Sequence, residues 1–239
     1  MVVGASRGLG RGIAAAFADA GSPVIAVART AQALRDLATG TPGIEAEIAG
    51  AADPTVPGAL LDRHQPDTVI VVAGASPLMR PLHQHTWETF SADWNTYVRV
   101  AFRWLREAPI TPLRPGSRVI VASSGAALNG SPLGGGYAEA KATRRFITGY
   151  AQDESRRAGL GIAFTAVLPQ LTPATGLGLP AVRAYAAWSG QSVGQYVAQR
   201  GEPLTPDVAG APLLTLAGTD PADLAAACRL TATGLTALP

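Results

Sequence analysis

Near the middle of the chain, Tyr137-Ala138-Glu139-Ala140-Lys141 puts a phenol and an ammonium four positions apart. On a helix that spacing brings both side chains onto one face. A phenol with the ordinary pKa of about 10 is a poor base at neutral pH, but a positive neighbour favours its ionised form. Lys141 can thus lower the Tyr137 pKa while donating hydrogen bonds to a ribose, and Tyr137 can pass a proton to or from a carbonyl oxygen as hydride moves. Upstream, at the end of an apolar run, Ser124 in Ala122-Ser123-Ser124-Gly125 offers a hydroxyl to hold a substrate oxygen where charge develops. A Tyr-x-x-x-Lys pair alone is an ordinary helix-surface feature. Composition singles this one out: of 19 basic residues 18 are arginine, and the only lysine is Lys141. Lysine stands where a compact ammonium with an adjustable pKa is useful.

A second group stands at the front. Gly4-Ala5-Ser6-Arg7-Gly8-Leu9-Gly10 joins an apolar run to a helical pattern. In such a turn one glycine permits the bend, another lets a pyrophosphate approach the backbone, and a third lets helix and strand pack closely. Phosphate then meets free N–H groups and the positive end of the helix dipole. Ser6, Arg7 and Leu9 belong to the same cofactor-binding turn. The next apolar run ends at Ala28-Arg29-Thr30. An acidic residue near this point binds an adenosine 2′-hydroxyl, whereas an arginine accommodates a 2′-phosphate. Ala28 offers no carboxylate, and Arg29 can pair with phosphate through two N–H groups, with Arg7 as a second cation. NADP(H) is the cofactor these residues predict.

The elements that must position these residues alternate along the chain. Apolar, β-branched runs at 23–28, 44–48, 68–73, 117–122 and 161–168 read as strands. Helical patterns lie between them: from the glycine turn through Ala20, then 30–38, 54–64, and 137–158. Such alternation predicts an α/β fold of the Rossmann type, a doubly wound parallel sheet with helices on both faces. With no internal repeat and no linker, residues 1–239 read as a single domain. Three residues before Gly4 are few for a strand. They predict either a frayed central strand or, the favoured reading, a start lying upstream. Pro169 to Pro180 reads as a mobile loop over the site, within a substrate loop spanning about 170–205.

Over nearly its whole length the chain resembles a classical short-chain dehydrogenase/reductase. Gly4, Gly8 and Gly10 match that family's Thr-Gly-x-x-x-Gly-x-Gly turn, with Val3 for the threonine. Ser124, Tyr137 and Lys141 match its catalytic serine, tyrosine and lysine in order and spacing. Ala73-Gly74 keeps the end of its Asn-Asn-Ala-Gly motif, with Val71 and Val72 for the asparagines. Pro169 and Thr172 resemble its nicotinamide-side Pro-Gly-x-x-Thr segment, with Gln170 for the glycine. Thr205 to Val208 and Leu213 to Ala217 resemble its last helix, and Leu230 to Gly234 its final strand. Gly50 stands where an adenine-contacting aspartate is usual, and Asp53 reads as a helix N-cap. The family's catalytic asparagine has no clear counterpart: Arg99 is nearest its place, and Asn95 lies one turn earlier. The resemblance implies reversible reduction of a carbonyl to an alcohol with a nicotinamide cofactor. It also implies a homodimer or homotetramer built on the helices around Arg99 and Tyr150.

The remaining features narrow the class. A net charge of +2, with arginines scattered singly and in pairs, argues against a nucleic-acid surface. No apolar run reaches the roughly 18 residues of a membrane helix, and the front has no signal-peptide order. The lone cysteine, Cys228, cannot form an intramolecular disulfide, so a cytoplasmic location is expected. His83 and His85 have poor metal-ligand spacing, and no metal is predicted. No Gly-x-Ser-x-Gly frame surrounds Ser124, which excludes a hydrolase elbow. Trp87, Trp94 and Trp104 read as core or subunit-interface residues. Tyr185, Trp188 and Tyr196 suggest an apolar alcohol or ketone as substrate, or merely an anchored loop. A protein that binds cofactor without catalysis, in a regulatory role, is the alternative left open by Val71, Val72 and the missing asparagine.

Overall fold

The computed structural model describes residues 1–239. The chain begins β1 (Val2–Val3), α1 (Gly8–Asp19), β2 (Val24–Ala28), α2 (Ala31–Gly40), β3 (Ile44–Ile48), α3 (Val56–His64) and β4 (Thr68–Val71). It continues through α4 (Trp87–Asp93), a wide π turn at Trp94–Val98, α5 (Arg99–Ile110), β5 (Arg118–Ala122) and a short α6 (Ala126–Asn129). There follow α7 (Tyr137–Ala158), β6 (Ala163–Pro169), α8 (Gly178–Trp188), α9 (Val193–Ala198), α10 (Pro206–Gly218), β7 (Ala227–Thr231) and β8 (Gly234–Leu238).

One eight-stranded sheet runs β3-β2-β1-β4-β5-β6-β7-β8. All pairings are parallel except β7 with β8. The inner strands β1, β2, β4, β5 and β6 are largely apolar on both faces because helices cover both, whereas β3 carries Glu45 and Glu47 at the edge. Alternate residues divide between the layers. Val2, Ala26, Ile70 and Ile120 pack with Ile13 and Phe17 of α1 and Leu213 of α10. Val3, Val27, Val69, Val71, Val119 and Val121 pack with Leu60 of α3 and Trp104 of α5. The chain order reverses between β1 and β4, which opens a crevice at the carboxyl ends of the strands.

Several expectations need correction. β1 is only two residues long, yet it is held on both sides, by β2 and β4. β4 stops at Val71, so Ala73 and Gly74 lie past its end. Asp53 is not a helix N-cap. Its carboxylate accepts from the N–H and hydroxyl of Thr55, closing a turn before α3, and Thr55 occupies the cap position. Leu230 to Gly234 is not a whole strand: it spans the end of β7 and the turn into β8, which adds an antiparallel edge. Pro169 to Pro180 is built rather than loose. Thr175 accepts from the Gly178 N–H at 2.9 Å and meets the Thr172 hydroxyl at 3.0 Å, after which α8 begins.

The helix that carries the glycine turn is wedged against α10. A Cβ at Gly12 would lie 2.0 Å from the Pro206 carbonyl oxygen, and one at Gly210 would lie 2.1 Å from the Ala16 Cβ. Gly12→Ala is therefore expected to cost about 1–3 kcal/mol through overpacking against backbone. Urea unfolding measures this; a variant as stable as the parent would show that the α1–α10 contact yields freely.

Candidate active site

The carboxyl ends of the strands open into a cleft of about 840 Å³. Every residue the sequence proposes for catalysis or cofactor binding lines it: Ser124, Tyr137 and Lys141, and also Gly4, Ser6, Arg7, Gly8, Leu9, Gly10, Arg29, Ala73, Gly74, Pro169 and Thr172.

The glycine turn leads from β1 into α1. A Cβ at Gly4 would meet the Ala73 backbone nitrogen at 2.6 Å, and one at Gly10 would meet the Gly4 oxygen at 2.2 Å, so both positions are closed to larger residues by packing. Gly8 differs: it adopts φ +55°, and its nearest neighbour is the Thr175 side chain at 3.7 Å. Helix α1 has no side-chain cap and no acidic residue in its first turn. Its leading N–H groups thus have no competing anion. Arg7 and Arg29 are exposed on the cleft wall. These features fit the pyrophosphate of a dinucleotide.

Tyr137 is the first residue of α7, where the positive end of the helix dipole favours a phenolate. Burial pushes its phenol above the ordinary value, while the Ser124 hydroxyl and the Arg144 charge pull it down. Ser124 follows β5, and its oxygen accepts from the Ala126 N–H at 3.2 Å, leaving its own proton to donate. The adjacent Ser123 is buried and donates to the Lys141 carbonyl at 2.6 Å, tying β5 to α7. Lys141 is buried, and its ammonium reaches the Ala122 carbonyl at 3.4 Å. Burial, aided by Arg144, lowers its pKa well below the ordinary lysine value, and Asp93 acts in the opposite direction.

Three residues that the sequence reading overlooked complete the site. Tyr97, from the π turn, is buried, donates its hydroxyl to the Ala75 carbonyl, and meets the Tyr137 ring edge-to-face at 5.3 Å. Gly74 makes room for it, since a Cβ there would lie 2.1 Å from the Tyr97 ring. Neither Arg99 nor Asn95 takes the place of the asparagine. The two bind each other at 3.3 Å on the exposed side of the helix. Arg144 is fully buried and donates to the carbonyls of Val71 at 2.9 Å and Ala73 at 3.2 Å, with Nε unpartnered. Burial brings its guanidinium down to about 10, so it stays charged at neutral pH. Asp93, nearly buried at the end of α4, is raised to about 6 by burial, against the pull of Lys141. Two of the three, Arg144 and Tyr97, had a signal in the sequence. Arg144 lies three residues past Lys141 on the same face, and Tyr97 lies four before the core residue Ala101.

One side of the cleft is aromatic. Tyr185 on α8 and Tyr196 on α9 stack at 6.3 Å, and Trp188 meets Tyr185 edge-on. Tyr185 also shares a hydrogen bond with Ser131 at 2.8 Å. Of the other tryptophans, Trp104 is core, whereas Trp87 and Trp94 are exposed. Both ring nitrogens of His85 are engaged, by Thr89 and by the Arg80 carbonyl. Elsewhere Glu45, Glu47 and His64 converge, but Arg63 and His64 already hold Glu47, at 2.9 and 3.0 Å.

Residues 1–183 match the family described as short chain dehydrogenase. The chain belongs to the short-chain dehydrogenase family. Among individual relatives, L-xylulose reductase of Mus musculus is 31% identical over 103 residues, 43% of this chain and 42% of the relative. D-erythrulose reductase of Gallus gallus is 32% identical over 99 residues, 41% of this chain and 40% of the relative. The matched stretch thus spans less than half the length of these relatives. Solved structures extend the likeness in fold. Actinorhodin polyketide ketoreductase with NADPH superposes with a TM-score of 0.82 at 19% identity, covering 97% of this chain and 94% of that one. Sorbitol-6-phosphate 2-dehydrogenase of Erwinia amylovora gives 0.83 at 18% identity, with 96% of both chains covered. No helix of this short-chain dehydrogenase is long and apolar enough to cross a membrane.

The raised Asp93 pKa has a thermodynamic consequence. A carboxyl group whose folded pKa lies above its unfolded value favours folding when protonated. That contribution is complete below the unfolded pKa of about 3.9 and is lost as pH rises towards about 6. Asp93→Asn removes the loss and should raise stability at pH 7.5 by on the order of 1 kcal/mol, allowing for screening, with little gain at pH 4. Thermal melts of both proteins across this range check it; parallel curves would show that Asp93 titrates normally.

Proposed function

We propose that the protein is an NADP(H)-dependent oxidoreductase that interconverts a carbonyl and an alcohol. The observation that carries this reading is the convergence of Ser124, Tyr137 and Lys141 in one cleft with the glycine turn. When bound, the nicotinamide cofactor supplies or accepts the hydride. The chain's own groups manage the proton. In the reducing direction Tyr137 donates its phenolic proton to the carbonyl oxygen as the carbon is reduced, and the resulting phenolate is stabilised by the Lys141 ammonium and the α7 dipole. Ser124 donates a hydrogen bond to the same oxygen, where negative charge grows. In the oxidising direction these roles reverse.

Cofactor choice rests on Arg29 and Arg7. Solved relatives in fold include complexes with NADPH and with NADH, so fold alone does not decide. Arg29 follows β2, and neither Ala28 nor Thr30 beside it carries a carboxylate to repel a 2′-phosphate, which favours NADP(H). The stacked rings of Tyr185 and Tyr196, with Trp188, favour an apolar carbonyl compound, although two relatives are named for the small sugars L-xylulose and D-erythrulose. Exposed Phe102 on α5 and Phe146 and Tyr150 on α7 support self-association through these helices, as a homodimer or homotetramer. A single, buried cysteine suits a reducing cytoplasm.

The alternative, cofactor binding without turnover, is favoured by one feature: no asparagine side chain from the π turn or α5 reaches Lys141. A fluorescence titration with NADPH and with NADH, followed by a screen of ketones and alcohols, separates the two. The oxidoreductase reading expects NADPH to bind at least tenfold tighter than NADH, Arg29→Asp to erase that preference, and at least one carbonyl substrate to be turned over. Tight NADPH binding with no turnover on any substrate would favour the non-catalytic protein, and equal affinities would remove the role given to Arg29.

A further inference from the structure

The Lys141 ammonium is buried with one protein hydrogen bond, the 3.4 Å contact to the Ala122 carbonyl. Asp93 acts on it through space, without a salt bridge. What lies against it is an aromatic face: Nζ sits 4.2 Å from the centroid of the Tyr97 ring, nearer than the 5.5 Å to that of Tyr137. Tyr97 has little freedom. Its hydroxyl is bound to the Ala75 carbonyl, Gly74 clears space for its ring, and the π turn aims it inward while Asn95 and Arg99 face out.

We propose that Tyr97 is a positioning residue whose ring face holds the Lys141 ammonium beside Tyr137. The proposal rests on the reading of Tyr137 as the proton-transfer group. An aromatic face attracts a cation through its quadrupole, most strongly where water is excluded. It does so without a formal negative charge. A carboxylate in the same place would hold the ammonium equally well but would cancel the field that Lys141 exerts on the Tyr137 oxygen. A ring face also consumes none of the three N–H donors: one reaches the Ala122 carbonyl, and the others stay available to a ribose and to the phenol. The charged and titratable groups around the pair are Asp93 from α4, Tyr97 from the π turn, Arg144 and Tyr137 from α7, and the Ser124 hydroxyl after β5. Glu139 acts on Asp93. Arg144 lies 5.9 Å from the same Tyr97 ring, so two cations share it.

The test keeps the ring's shape and changes its charge distribution. Tyr97→Phe retains the negative face, whereas replacing Tyr97 with pentafluorophenylalanine reverses it at nearly the same volume, so both proteins are expected to fold. The ultraviolet absorbance of tyrosinate is followed against pH, and the Tyr137 component is identified by subtracting the curve of Tyr137→Phe in each background. With the ring's attraction gone, the ammonium leaves or loses its proton and the phenolate loses its positive neighbour, so the Tyr137 midpoint must rise. We expect a rise of about one pH unit, tenfold in proton affinity, for the fluorinated ring and little change for Tyr97→Phe. Midpoints unchanged from the parent in both variants would overturn the proposal, and an equal rise in both would overturn it in favour of the hydroxyl. Failure of the underlying reading looks different: Tyr137→Phe would then turn over carbonyl substrate as fast as the parent, whatever stands at 97.

Discussion

An ammonium taken out of water needs compensation, and at Lys141 no salt bridge supplies it. The absence of a paired carboxylate has chemical value, because a neutralised lysine would exert little field on Tyr137. It also restricts what surrounds the group. α7 must be docked so that the lysine is covered, which the Ser123 bond to the Lys141 carbonyl accomplishes. Residue 74 must be glycine for Tyr97 to fit. The segment after β4 is tied to β1 by the Val72 and Ala73 N–H groups, which donate to the Val3 carbonyl, while the Val71 and Ala73 carbonyls still need a donor from the α7 side. Arg144 meets that need from α7, reaching both carbonyls with two of its nitrogens.

A buried guanidinium close to a buried ammonium is costly unless donors and acceptors are well matched. Here the like charges are offset by backbone carbonyls, by two phenols and by Asp93. The cluster therefore ties the protonation of Tyr137, Lys141 and Asp93 together. It also explains why the Asp93 carboxyl is raised by burial even with a lysine in range.

The alternating order of the fold was readable because buried parallel strands are apolar and short while the intervening helices are longer. Ile44–Ile48 was found to the residue, and α7 at both ends, because Gly136 and Gly159 bracket it. What periodicity does not carry was lost. β8 pairs antiparallel at the sheet edge and is only partly buried, so its pattern is weak. The π turn adds no residue type that betrays it, so the resemblance points to Arg99 and Asn95 and passes over Tyr97. Arg144 was passed over because arginine ordinarily marks the surface, even though its face is fixed by Lys141. Thr175 was missed because its role in closing the turn after β6 depends on a side chain reaching its own backbone.

On the proposed reading Tyr137 moves the proton while the bound cofactor exchanges hydride with the substrate carbon. The most direct measurement is single-turnover consumption of NADPH with a reducible ketone, comparing the parent with Tyr137→Phe at matched cofactor occupancy. NADPH is expected to bind both proteins alike while the rate falls by about 10²–10⁴-fold in the variant. A variant that consumes NADPH at the parental rate would contradict it.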